Sequence, residues 1–239
     1  MTADLLFRED AYHTSCEATV TGINDQGGIL LDRTVFYATA GGQPGDKGSL
    51  LWEGGETGIA TTVYDGQKDV VHVPGSGQSL PGVGAKVKAE LDWESRFRTM
   101  RAHTMMHLLC ASVPFPVTGG ALGEDGGRID FDIPDGQIPD KGELTATLNR
   151  LVAENHPVSF RWITDEEMLE NQHLIRTMSV KPPMGTGRVR LVMIGQDGQV
   201  DLQPCGGTHV ASTAVIGPVA VTKIENKGKI NRRIRVAFQ

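Results

Sequence analysis

Asp92-Trp-Glu-Ser-Arg-Phe-Arg-Thr-Met-Arg-Ala-His-Thr-Met-Met-His-Leu-Leu109 decides the fold, because the periodicity of the chain changes across it. Asp92 suits an N-cap, where a carboxylate accepts from the orphan N–H groups of a first helical turn. Phe97, Met100, Thr104, Leu108 and Ala111 then recur at helical spacing and define one apolar face. His103 and His107 stand on the adjoining edge of that stripe, at the rim of the core. A side chain four residues along a helix is rotated by only about 40° from the first, so both imidazoles can reach one ion.

Toward the N-terminus the pattern is different. Cys16 to Ile23, Gly28 to Leu31, Gly58 to Tyr64, Asp69 to Val73 and Ala85 to Leu91 are alternating or β-branched, with glycine-rich turns between them. None has a helical period, and short strands at close spacing argue for a small barrel or sandwich. Toward the C-terminus a glycine-rich turn leads to a strand from Arg128 to Ile133 and a helix from Lys141 to Asn155, with Leu144, Leu148, Leu151 and Val152 inward. Val158 to Thr164 reads as a strand, followed by a short helix at Asp165 that Thr164 and Glu167 cap as a box. Val189 to Ile194, the stretch before Cys205, Ala220 to Asn226 and Arg233 to Phe238 are expected to complete one antiparallel sheet. The fold class is α+β. A glycine-rich β-barrel domain over residues 1–91 precedes a two-layer α+β domain over residues 92–239.

Composition narrows the setting. The 239 residues include 30 glycines, few aromatics and three cysteines, Cys16, Cys110 and Cys205, which form no even disulfide framework. A reducing compartment is expected. Acidic residues at the N-terminus where a leader needs basic ones, and the lack of any membrane-length apolar run, point to a soluble cytoplasmic protein. Net charge is −6, but residues 1–92 carry −7 and the last 17 residues carry six basic side chains against Glu225 alone. That tail is either a phosphate contact or an ordinary solvated strand.

Cys205-Gly-Gly-Thr-His209 repeats the four-residue offset of the histidine pair, here across two glycines that imply a turn instead of a helix. Three imidazoles and one thiolate suit Zn²⁺, which accepts N and S at tetrahedral angles. Either pair alone is more often ordinary surface or core; together, in a cysteine-poor chain, they point to one metal site. Zinc proteases with His-x-x-x-His need Glu after the first His, and Thr104 stands there, so that class is excluded.

Phe36-Tyr-Ala-Thr-Ala-Gly-Gly-Gln-Pro-Gly-Asp-Lys-Gly48, the His103-to-Leu109 helix, Cys205-Gly-Gly-Thr-His-Val210 and Asn231-Arg-Arg-Ile-Arg235 together resemble the editing domain of alanyl-tRNA synthetase and its free-standing relatives, the longer AlaX proteins. The resemblance runs over nearly the whole chain. It implies a trans-acting hydrolase that removes serine or glycine wrongly attached to the tRNA for alanine, at one zinc ion held by His103, His107, Cys205 and His209. It also places Gly41, Gly42 and Gln43 along the path of the acceptor end, unless they form only a hairpin turn. Ala40 and Met105-Met106 depart from the family pattern, which leaves substrate preference open.

Chemistry assigns further roles. Thr104 is expected to hydrogen-bond the serine hydroxyl that alanine lacks, and Gly206 and Gly207 to offer backbone N–H groups to a carbonyl or the terminal ribose, unless they are a plain turn. Zinc can orient the substrate or activate water, and with four protein ligands it either sheds one or is structural. Arg101, Lys227, Arg232 and Arg233, with Arg96, Arg98, Lys229 and Arg235 nearby in sequence, are candidates for tRNA phosphates. Neither membrane nor DNA is an expected partner. Two other readings stay open: a zinc esterase acting on small aminoacyl compounds, and a non-catalytic RNA-binding module that zinc only staples.

Overall fold

The structure, a computed structural model, describes residues 3–239 apart from 135, 136, 138, 179–183, 186 and 229, so Lys229 of the basic tail lies outside the described residues. The chain divides into two compact units, Met1–Arg98 and Thr99–Gln239.

The first unit is a closed six-stranded barrel. Its strands are β1 (Ser15–Ile23), β2 (Ile29–Leu31), β3 (Gly48–Trp52), β4 (Gly55–Tyr64), β5 (Val70–Pro74) and β6 (Lys86–Leu91), joined in the order β1-β2-β5-β4-β3-β6. Closure runs through β6, where Ala89 pairs with Cys16 on one side and Leu50 on the other. Alternation sends Ala18, Val20, Ile29, Leu31, Leu50, Ile59, Val87 and Ala89 into one core with Val35 and Phe36. Sequence patterning misses β3, because Leu50-Leu51-Trp52 does not alternate and only Leu50 is buried. Gly48 is required there: a Cβ would sit 2.0 Å from the Glu90 carbonyl oxygen.

Between β2 and β3 a loop is fastened from within by a buried ion pair. The Asp46 carboxylate accepts from the Tyr37 backbone N–H at 2.5 Å and from the Arg96 guanidinium. Arg96, 1% exposed, also donates to the carbonyls of Ala11 and Val35 at 3.0 and 2.7 Å. At the loop's tip Ala40 and Gln43 exchange backbone bonds around Gly41 and Gly42, whose φ values of 56° and 83° make a tight hairpin turn. The two glycines are exposed and Gln43 is buried. His72, also fully buried, is neutralised locally: Thr34 Oγ1 lies 2.8 Å from its Nε2, and its Nδ1 donates to the Ile29 carbonyl at 3.0 Å. Burial pushes this imidazole down to about 4.

Helix α1 (Trp93–Ser112) contains the division between the units. From Thr99 onward its second unit has two antiparallel sheets, not the single one expected from sequence. In chain order the elements are β7 (Val117–Gly123), β8 (Gly126–Asp132), α2 (Lys141–Ala153), β9 (Val158–Thr164), α3 (Asp165–Glu170), β10 (Arg188–Ile194), β11 (Asp201–Pro204), β12 (Val219–Asn226) and β13 (Asn231–Phe238). One sheet runs β12-β13-β8-β7, the other β9-β10-β11. The separation arises after β11, where the turn at Cys205 and a short 3-10 turn at Thr213–Ile216 carry the chain away before β12 begins. Strand β7, with three glycines, reads as a turn in sequence and becomes a strand only because β8 pairs with it.

Helix α2 starts at Asp140, whose carboxylate accepts from the N–H groups of Gly142 and Glu143, and buries Leu144, Leu148, Leu151 and Val152. Asn149 fastens it to β12 by exchanging hydrogen bonds with the Val219 backbone. The capping box of α3 forms as the sequence indicates, with Thr164 and Glu167 bonding reciprocally. Among the described residues, no helix is long and apolar enough to cross a membrane.

Candidate metal centre

Two short segments of the second unit supply the site, and regular backbone places most of it. Within α1 the helical repeat stacks His103 and His107, with ring centroids 5.3 Å apart. On β11 the strand repeat puts Asp201 and Gln203 on the buried face, and Cys205 follows at the next inward position. The turn after Cys205 brings His209 to 4.3 Å from the His103 ring and 4.5 Å from the His107 ring, centroid to centroid. One ligand atom from each of His103, His107, Cys205 and His209 lies within 4.8 Å of every other, so the group can hold one metal ion. Cys205 Sγ is 3.5 Å from His103 Nε2 and 3.4 Å from His209 Nε2.

Residues around the four keep them there. Arg190 on β10 donates to the Cys205 and Gly207 carbonyls at 3.2 and 2.9 Å, with its guanidinium stacked 4.4 Å from the Phe160 ring. The Gly207 N–H points at the Cys205 sulfur, 3.4 Å away, and Gly206 borders open space. Asp201 Oδ2 accepts from His107 Nδ1 at 2.8 Å and from the Gln203 amide at 2.8 Å. Sequence reasoning passes over Asp201, Gln203 and Arg190. The available signal for the first two was period two ahead of a ligand, since Asp201, Gln203 and Cys205 are i, i+2 and i+4.

The electrostatics favour a cation. Burial raises the Cys205 thiol, but His103 and His209 beside it prevail and hold it well below the usual thiol range, toward thiolate. Burial depresses His107; the bonds to Asp201 and Cys205 reverse this and raise it to about 10. His209 has no carboxylate partner, and burial with the charge of His103 keeps it well below the ordinary imidazole value. The Cys205 sulfur and the Asp201 carboxyl are the acidic groups of a cluster whose other members are imidazoles, a donor set suited to a cation.

Thr104 lies on the buried side of the helix between the two histidines. Its side chain is fully buried, and its hydroxyl donates to the Met100 carbonyl at 3.0 Å while facing the Val210 N–H and His209 Nδ1, both at 3.2 Å. One donor and two lone pairs are the whole capacity of a hydroxyl, and these three contacts use it.

The basic candidates fall into two groups. Alternation along β13 turns Arg232 inward, 3% exposed and donating to the Gly228 carbonyl. Arg101 is committed to the Ile216 carbonyl and lies over the Phe238 ring. Arg233 faces outward in a two-pronged pair with Asp130, Arg235 pairs with Glu225, and Lys227 is exposed 3.9 Å from Glu225.

Residues 189–235 match the family model of the threonyl and alanyl tRNA synthetase second additional domain, and residues 9–95 match that of class II (A) tRNA synthetases. The alanyl-tRNA editing protein AlaX-M of Methanosarcina acetivorans is 34% identical over 242 residues, 97% of each chain. The protein of the same name from Saccharolobus solfataricus is 29% identical over 96% of each. An alanine–tRNA ligase from Pyrobaculum neutrophilum is 34% identical over 92% of this chain, which corresponds to 25% of the ligase.

Proposed function

The chain belongs to the AlaX family of alanyl-tRNA editing proteins, and from that premise we propose that it is a zinc-dependent trans-editing deacylase. Its substrate on this reading is tRNA(Ala) carrying serine, and secondarily glycine, in place of alanine. The observation that carries the reading is the convergence of His103, His107, Cys205 and His209 in a chain that matches editing proteins from end to end. Zinc fits the donor set by chemistry, and a tetrahedron with zinc–nitrogen and zinc–sulfur bond lengths has edges of about 3.3 to 3.6 Å. The two Cys205-to-imidazole separations, 3.5 and 3.4 Å, are of that length.

Hydrolysis of the aminoacyl ester requires charge to build on the carbonyl oxygen as water adds. Zinc bound here supplies a Lewis acid for that centre. The protein supplies the frame: α1 fixes two imidazoles, Arg190 holds the carbonyls of the Cys205 turn, and the Gly207 N–H steadies the sulfur. Gly206, which borders open space, is the part of that turn an ester can approach, so the expected backbone contact narrows to it. For the tRNA acceptor end, the exposed hairpin tip at Gly41 and Gly42 is the contact we assign in the barrel unit, with buried Gln43 as its prop. Lys227 and Arg233 are the outward cations assigned to phosphates. We take residues 1–91 as the barrel domain and 92–239 as the deacylase domain, and place the activity in the cytoplasm, where aminoacyl-tRNA is used.

The test is a deacylation panel: Ser-, Gly- and Ala-tRNA(Ala) and free seryl esters, each with and without chelator. Release of serine from the tRNA, lost with chelator and restored by zinc, is expected. Cleavage of free esters at an equal rate indicates a small-molecule esterase, and no cleavage by zinc-loaded protein overturns the proposal.

A further inference from the structure

His107 and His209 each have Nδ1 engaged by a buried residue that is not itself among the four ligands. Asp201, 2% exposed, takes the His107 Nδ1–H on Oδ2, while its Oδ1 has no hydrogen-bond partner among the described residues. Thr104 faces His209 Nδ1, and its remaining capacity is filled by Met100 and Val210. With Nδ1 occupied, Nε2 is the nitrogen each ring turns to the shared space; for His209 it is the atom facing the Cys205 sulfur.

We propose that Asp201 and Thr104 are positioning residues of the metal centre: they fix the tautomer and rotation of His107 and His209 so that both present Nε2 to the ion. The inference rests on the zinc reading above. Charge separates the two partners. Three neutral imidazoles and one thiolate leave a divalent cation with one uncompensated charge, and Asp201 supplies the second negative charge that makes the buried group neutral. This also accounts for a carboxylate buried with one oxygen unpaired, which is costly unless strong positive charge lies nearby. Thr104 supplies direction without charge. Asp201 is therefore the stronger partner, and Gln203 holds its carboxylate in line at 2.8 Å.

The experiment titrates the full chain with zinc alone against a chromophoric chelator, for wild type, Asp201→Asn, Asp201→Ala and Thr104→Val. Asp201→Ala weakens zinc binding by about 10- to 100-fold, the usual range for an outer partner of a metal-bound histidine. Asp201→Asn, which keeps an acceptor and the shape but loses the charge, falls between Ala and wild type, and Thr104→Val loses least. Cobalt(II) in place of zinc reports the ligand set through its thiolate charge-transfer band, and metal-free thermal midpoints report folding separately. A merely structural Asp201 lowers the metal-free midpoint and leaves zinc affinity unchanged, and that result overturns the inference. Should Asp201→Ala not fold, the Asn variant decides. Wild-type protein that binds no zinc removes the zinc reading and this inference together; tight wild-type binding with unaltered variants removes the inference alone.

Discussion

The two units treat buried polar groups in opposite ways. In the barrel, Arg96 and Asp46 satisfy each other and three backbone groups, while His72 sits neutral between a hydroxyl and a carbonyl. In the second unit three imidazoles and a thiol converge, and a buried carboxylate oxygen lacks a partner among the described residues. His72 and His107 are both fully buried imidazoles, yet one is driven down to about 4 and the other up to about 10. Burial alone does not set an imidazole's charge; the sign of its partner does. A polar inventory that closes within the protein marks architecture, and one left open around a group that can hold an ion marks a candidate for chemistry.

The sharpest way to break this contrast is to remove a ligand. His103→Ala should reduce serine release to background and weaken zinc binding by more than the roughly 100-fold of an outer-partner change, measured by deacylation and chelator competition. Barrel stability should be unaffected. Next in size, Arg96→Met leaves Asp46 buried and unpaired; chemical denaturation should show a loss of about 3–5 kcal/mol, with zinc affinity of the folded protein retained.

The third prediction concerns His72. Its folded value lies below the unfolded one, so between about pH 6.5 and 4 the unfolded chain binds the extra proton and stability falls as pH falls. The slope is about 1.4 kcal/mol per pH unit, about 3 kcal/mol over the window, and is absent above pH 7. His72→Gln should flatten that part of the wild-type stability curve; an unchanged slope refutes the assignment. The smallest effect belongs to the surface. Lys227→Ala should lower tRNA affinity a few-fold and shrink the salt dependence by about one ion, without altering the rate at saturating tRNA.

Much of this was legible in the chain. The helix from Asp92 and the capping box at Thr164 follow from local hydrogen-bond chemistry, which neighbours in sequence decide. Barrel strands were readable where residues alternate, as at Ala18 and Val20, and β3 and glycine-rich β7 were not, because pairing partners far along the chain make them strands. The four candidate ligands are legible through residue type and spacing. Their outer partners did not, since aspartate, glutamine and arginine are common everywhere and only tertiary contact singles out Asp201, Gln203 and Arg190. Sequence gives the place of Thr104 between the histidines and conceals its contacts with the Met100 carbonyl, the Val210 N–H and His209 Nδ1.

Strand β11 acts as a ruler for the centre. Substitutions at Leu202 or Pro204, which face the other way, leave the spacing intact, whereas inserting or deleting a single residue between Gln203 and Cys205 would rotate the carboxylate and the amide to the opposite side relative to the sulfur. Length within this five-residue run is therefore under tighter constraint than the side chains of Leu202 and Pro204.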